Sequence, residues 1–144
     1  MTAEVFESFH KVRPFECDYY GHVNNAIYLN YLEFARMEVL EKKGFTLTEL
    51  KHRGLLLVIR RIEITYKWPA LAHDQLVIRT VLKEYRRVGA TFHQEILRRA
   101  DEKLLAEADV AWVVVNPAGR PVAVPETMRR ALGMGGETIV KRNP

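Results

Sequence analysis

The chain has 144 residues, 48% hydrophobic and 28% charged, with a formal net charge of +4. That length suits one domain, and the composition is that of an ordinary globular protein. No apolar run reaches the roughly 18 residues of a membrane span, and residues 1–11 lack the apolar core of a secretory leader, so the expected location is the cytoplasm. Cys17 is the only cysteine, which excludes an internal disulfide and a cysteine-based metal cluster within one chain. A nucleophilic Cys17 is the lesser reading, since a lone cysteine is usually a small buried hydrophobe and no cationic side chain adjoins it in sequence. The basic pairs Arg60-Arg61, Arg86-Arg87, Arg98-Arg99 and Arg129-Arg130 are dispersed. They argue against a nucleic-acid binder and leave room for a small anionic partner.

In chain order, Glu4 to Arg13 reads as a first strand ending at Pro14. A polar, glycine-bearing loop follows and runs into a helix with apolar positions at Ile27, Tyr28, Tyr31, Leu32, Ala35, Val39 and Leu40. Asn24 or Asn25 is its expected N-cap; Lys42, Lys43 and Gly44 form its stop, with glycine in a left-handed C′ position. Residues 45–53 are a connector with a helical turn near Thr48. Leu55 to Trp68 reads as one long strand, buried on both faces early and on one face later, which Pro69 ends. Gln75 to Arg86, Ala90 to Arg99 and Lys103 to Val115 are three more strands, with Gly89 and Ala100-Asp101-Glu102 at the turns. Asn116 to Pro121 is a strong stop, and Pro125, at N1, opens a short helix through Leu132. Residues 133–144 read as a flexible tail beyond a domain spanning 1–132. The order βαββββ with one helix predicts an α+β fold, an antiparallel five-stranded sheet curled around the helix.

The chemistry concentrates in Asp18-Tyr19-Tyr20-Gly21-His22-Val23-Asn24-Asn25, directly ahead of that helix. A helix start with free N–H groups favours negative charge, including charge developing on an attacked carbonyl oxygen. Asp18 supplies a carboxylate there, able to act as base or nucleophile or simply to accept loop N–H groups. Gly21 allows a tight turn and close backbone approach, after which Val23, Asn24 and Asn25 would present N–H groups. His22 could protonate a leaving group, orient water or brace the loop. His10, His52, His73 and His93 show no metal-ligand spacing, so no metal site is expected. Ser8 is the sole serine and lies in no nucleophile motif.

The pattern D-x-x-G-H-V-N-N-A-x-Y-L-x-Y-x-E-x-A-R over Asp18–Arg36 resembles the signature of hotdog-fold thioesterases of the 4-hydroxybenzoyl-CoA thioesterase type. Its D-x-x-x-H-V-N-N core is also similar to that of acyl-acyl carrier protein thioesterases. Supporting matches lie in I-T-Y-K-W-P-A and W-V-V-V-N-P-A-G-R-P-V-A-V-P, so the likeness runs to about Arg130. The resemblance implies a hotdog fold and hydrolysis of acyl-CoA to a carboxylic acid and coenzyme A, with no cofactor. It implies Asp18 as nucleophile or general base and the Asn25 N–H as the group polarising the thioester carbonyl. It also places His22 in the site.

By helical spacing Tyr28 and Tyr31 are core or pocket lining, and Glu33 with Arg36 would be a helix-face ion pair. The resemblance further implies a homodimer, or a tetramer built from dimers, with sites shared between chains. Arg60, Glu63 or Thr65 of one chain could then reach Asp18 of the other, and Arg86 or Arg87 could meet coenzyme phosphates. Two rivals remain. A hotdog dehydratase or hydratase would want D-x-N-x-x-H, where this chain has Tyr20 in place of the Asn and His22 one position early. A non-catalytic acyl-CoA-binding protein would be expected to lack the carboxylate.

Overall fold

The computed structural model describes residues 4–135. Five strands form one sheet in the order β1-β3-β4-β5-β2, every neighbouring pair antiparallel. They are β1 (Val5–Lys11), β2 (Leu56–Tyr66), β3 (Gln75–Tyr85), β4 (Gly89–Arg98) and β5 (Lys103–Val115), with helices α1 (Ile27–Lys42), α2 (Leu47–His52) and α3 (Glu126–Ala131). This is the α+β arrangement expected. Alternation puts Leu76, Ile78, Ile96, Ala106, Ala108 and Val110 on the sheet face that meets Tyr28, Tyr31, Leu32 and Ala35 of α1.

The helix stop is as expected. Gly44 has φ +83°, its N–H bonds Glu41 O at 3.0 Å, and Phe45 N–H bonds Leu40 O at 2.8 Å, the paired bonds of a Schellman end. Its start is not. The N-cap position is Ala26, without a side-chain cap, while Asn24 Oδ1 accepts the Ala26 N–H at 2.9 Å, one residue before the helix. Thr46 rather than Thr48 opens α2, its hydroxyl accepting Glu49 N–H at 3.1 Å. Pro125 stands at the N-cap of α3 rather than at N1.

A second buried cluster extends the core. Val39, Leu40, Phe45, Leu50, Phe92, Trp112, Val124, Met128, Leu132 and Met134 pack over the far end of the sheet, beyond the reach of the first half of α1. Met134 is buried and its N–H bonds Arg129 O, so the packed domain runs past residue 132; residues 136–144 lie outside the described residues. Gly89 has a spatial reason: a Cβ there would overlap the Trp112 carbonyl oxygen. Between the two clusters Arg36 is buried, its Nη1 donating to Gln94 Oε1 at 3.0 Å, so the expected surface pair with Glu33 does not form. The Gln94 amide donates in turn to Leu32 O and Thr80 Oγ1, each at 3.0 Å.

The expectation of early two-sided burial for β2 fails in the single chain. β2 is an edge strand, and Leu56, Val58 and Ile59 are 37%, 42% and 37% exposed. Arg60 is an extra residue in the pairing with β5: Ile59 faces Trp112 and Arg61 faces Ala111. This bulge switches the inward-facing set from Leu57 and Ile59 to Ile62, Ile64 and Tyr66, which explains how an apolar run and a clean alternation share one strand.

Candidate active site

The loop between β1 and α1 is held from three sides. Asp18 N–H bonds His22 O at 2.7 Å and Gly21 N–H bonds Asp18 O at 3.0 Å, closing a tight turn that Gly21 completes at φ +77°. Val23 N–H bonds Ala70 O at 2.9 Å, tying the loop to the segment after β2. Asn24 N–H bonds Glu16 O at 2.9 Å, and behind it Glu16 accepts the Tyr31 hydroxyl at 3.0 Å and meets His10 at 3.0 Å. Burial opposes ionisation of Glu16, but the Arg13 N–H, His10 and Tyr31 outweigh it and hold the carboxyl below its ordinary range. Burial first, then that carboxylate, pushes the Tyr31 hydroxyl far up.

Of the three N–H groups expected at the helix start, those of Val23 and Asn24 are thus committed to backbone carbonyls. Among the described residues no acceptor engages the Asn25 N–H. Asp18 Oδ1 accepts Tyr20 N–H at 2.9 Å and His22 N–H at 3.2 Å, while Oδ2 meets no donor among the described residues. Asp18 and Asn25, which carry these free groups, line a common cleft of about 290 Å³ with His22, Tyr28 and the run Tyr66, Lys67, Trp68 and Pro69. Val23, otherwise buried, also borders it; Gly21 and Asn24 shape the loop without lining the cleft. Tyr28 is buried, its hydroxyl accepting Ala70 N–H at 2.9 Å, and burial raises its pKa.

Four cleft residues, Tyr66, Lys67, Trp68 and Pro69, were not singled out from sequence as site residues. Tyr66 and Trp68 end the long strand and read there as members of an alternating face; only the I-T-Y-K-W-P-A match signalled them. Tyr66 packs edge-on against Tyr28, centroids 5.2 Å apart, and donates its hydroxyl to Asn25 O at 2.8 Å. Cys17 lies behind the turn, its Sγ 3.9 Å from Arg13 O; burial, then Asp18 and Glu16, push the thiol pKa up, which disfavours a thiolate nucleophile.

The remaining expected residues are elsewhere in one chain. Glu63 and Arg86 line a second groove of about 340 Å³ with Arg60, Arg61 and Glu84, on the sheet face away from α1. Thr65 is exposed on that face, and Arg87 is exposed in the β3–β4 turn, its carbonyl accepting Val124 N–H. That turn lies a strand length from the Asp18 loop, roughly 33 Å for ten steps of β3. No single chain brings these residues to Asp18. The same outer face carries His93, Glu95 and Glu107, with ligand-capable atoms within 4.8 Å of one another, and His93 Nδ1 lies 2.8 Å from Asp109 Oδ1. Among the described residues no helix is long and apolar enough to cross a membrane.

Known proteins place this geometry in context. The chain is 30% identical over 123 residues to a chloroplastic acyl-acyl carrier protein thioesterase of Arabidopsis thaliana, covering 85% of this chain but only 65% of that protein's length. It is 32% identical over 106 residues to a long-chain acyl-CoA thioesterase of Escherichia coli, covering 74% of this chain and 80% of that one. Among solved structures, a probable thioesterase from Bartonella henselae superposes with a TM-score of 0.77 at 29% identity, over 86% of this chain and all of that one. The model of the thioesterase-like superfamily matches residues 12–132, which take in the loop, the helix and the whole sheet beyond β1, and the chain belongs to that superfamily.

Proposed function

We propose that the protein hydrolyses an acyl-CoA thioester, water adding its OH to the acyl carbon and its hydrogen to sulfur, to release a carboxylic acid and coenzyme A. One observation carries the reading: Asp18, with an oxygen that accepts no hydrogen bond among the described residues, and Asn25, with an N–H that no acceptor engages there, line the same cleft. Thioester cleavage needs an ionised oxygen near the carbonyl carbon and a donor at the carbonyl oxygen. Asp18 either deprotonates the attacking water or adds to the carbonyl itself, giving a mixed anhydride that water then cleaves. The Asn25 N–H donates to the oxygen as its charge develops. His22, on the same cleft, delivers a proton to the departing sulfur.

The working unit in this proposal is a dimer paired through β2. Leu56, Val58 and Ile59 form an apolar stretch on an unpaired strand edge, which invites a second chain. Antiparallel two-fold pairing would set the Arg60 end of one β2 against the Tyr66 end of the other. Arg60, with Arg86 and Arg87 towards the same end of the sheet, would then approach the partner's cleft, the arginines suited to coenzyme phosphates, while Glu63 would lie at the two-fold axis and Thr65 beyond it. Hydrolysis assays over short, long and aromatic acyl-CoAs, with light scattering at micromolar concentration, test the proposal. Activity on none of them overturns the reaction. A fully active monomer overturns the shared site.

A further inference from the structure

Among the described residues, every polar edge of the backbone around Asn25 has a partner except the N–H itself. The peptide before it has its carbonyl, Asn24 O, bonded by Ile27 N–H at 2.9 Å. The peptide after it is clamped on both edges: Ala26 N–H donates to Asn24 Oδ1 at 2.9 Å, and Asn25 O accepts the Tyr66 hydroxyl at 2.8 Å. Two of these three partners, Ile27 N–H and Asn24 Oδ1, belong to the loop and the helix start. The third, the Tyr66 hydroxyl, comes from the last residue of β2, 41 positions on.

Tyr66 is itself well fixed. Its backbone pairs with Ala106 of β5, and its ring lies edge-on to Tyr28, whose hydroxyl is held by Ala70 N–H. The hydroxyl proton is spent on Asn25 O, so the group does not serve as a direct donor to substrate in this arrangement. A phenol on a paired strand is a stiff strut, whereas a loop peptide held only by its own neighbours can rock about its flanking φ and ψ.

We infer that Tyr66 is a positioning residue: its hydroxyl, by clamping the Asn25 carbonyl, aims the Asn25 N–H at the thioester carbonyl oxygen. The inference rests on the hydrolytic reading above. A donor of this kind must meet the place where charge develops, and an error of about an ångström in such a contact is costly in rate. The coupling also ties the sheet edge to the reaction centre.

Tyr66→Phe removes one oxygen and keeps the ring against Tyr28. The expected result is a kcat about tenfold lower, part of the roughly 10² to 10³ that one such donor supplies, with KM within about twofold and melting temperature nearly unchanged. A spectroscopic readout separates positioning from general loosening. In an Asp18→Asn background, which slows turnover, the infrared carbonyl stretch of bound [1-13C]dodecanoyl-CoA should shift to lower frequency than in water. Adding Tyr66→Phe should shrink that shift. An undiminished shift, or a normal kcat per folded molecule with a lowered melting temperature, overturns the role of Tyr66 alone. Absence of any shift in the Asp18→Asn protein overturns the Asn25 donor, and with it the reading on which the inference rests.

Discussion

Asp18 and His22 hold each other through backbone and side chain: Asp18 N–H bonds His22 O at 2.7 Å, and Asp18 Oδ1 accepts His22 N–H at 3.2 Å. The loop is therefore stitched by one oxygen of the carboxylate and by main-chain groups, and the second oxygen and the imidazole are spared for other work. Structure and chemistry can be separated by mutation here.

Asp18→Asn should keep the loop, because the amide oxygen can still accept both N–H groups, and should lose about 10² or more of turnover. Steady-state hydrolysis beside a melting curve checks this. A variant that melts normally and retains more than about a tenth of the wild-type rate would show that Asp18 is not the reacting group.

His22→Ala removes an exposed imidazole whose backbone does the bracing, so stability should stay within about 0.5 kcal/mol of wild type, as for most surface substitutions. If the ring delivers the proton to sulfur, kcat should drop by about 10² or more. A folded variant with unchanged kcat removes His22 from the reaction.

The buried Arg36 guanidinium depends on Gln94, which also satisfies Leu32 O and Thr80 Oγ1. Gln94→Leu should cost about 3 kcal/mol, the penalty for leaving buried polar groups and a charge without partners. Adding Arg36→Met should recover at least about 1 kcal/mol, since the stranded charge goes too. Urea unfolding of the two single variants and the double variant measures the coupling, and strict additivity would mean that the pair is not linked.

Glu16 makes a pH-dependent contribution. Its carboxyl titrates in the folded protein below the ordinary 4.5, so its stabilisation is fully present above pH 4.5 and is lost as pH falls through the lower folded-state value. Glu16→Ala should lower stability by about 1–3 kcal/mol at pH 7 and weaken the fall in stability on acidification below pH 4.5. Unfolding curves between pH 3 and 7 test it, and an acid limb of unchanged depth would refute it.

Periodicity along the chain was enough to specify the five strands, the main helix and its glycine stop, because each is written as a local repeat of side chains with a local terminator. The stretch from Asp18 to Asn25 was legible for a similar reason: its carboxylate, glycine and amides are adjacent in sequence, so proximity needs no fold. Three things were decided only in three dimensions. Val23 and Asn24 looked as able as Asn25 to offer an N–H, and it took Ala70 and Glu16, distant or on the far side of the turn, to occupy theirs. Arg36 has the spacing of a surface ion pair with Glu33, yet the rotation of α1 over β4 buries it on Gln94, 58 positions on. Tyr66 reads as one residue of an alternating strand, and only the bulge at Arg60, which resets the strand's parity, turns its ring inward to meet Tyr28 and the Asn25 carbonyl. Local repeats fix which elements form. Which polar groups are left unpaired depends on partners brought from far along the chain, and it is on those unpaired groups that the proposed site rests.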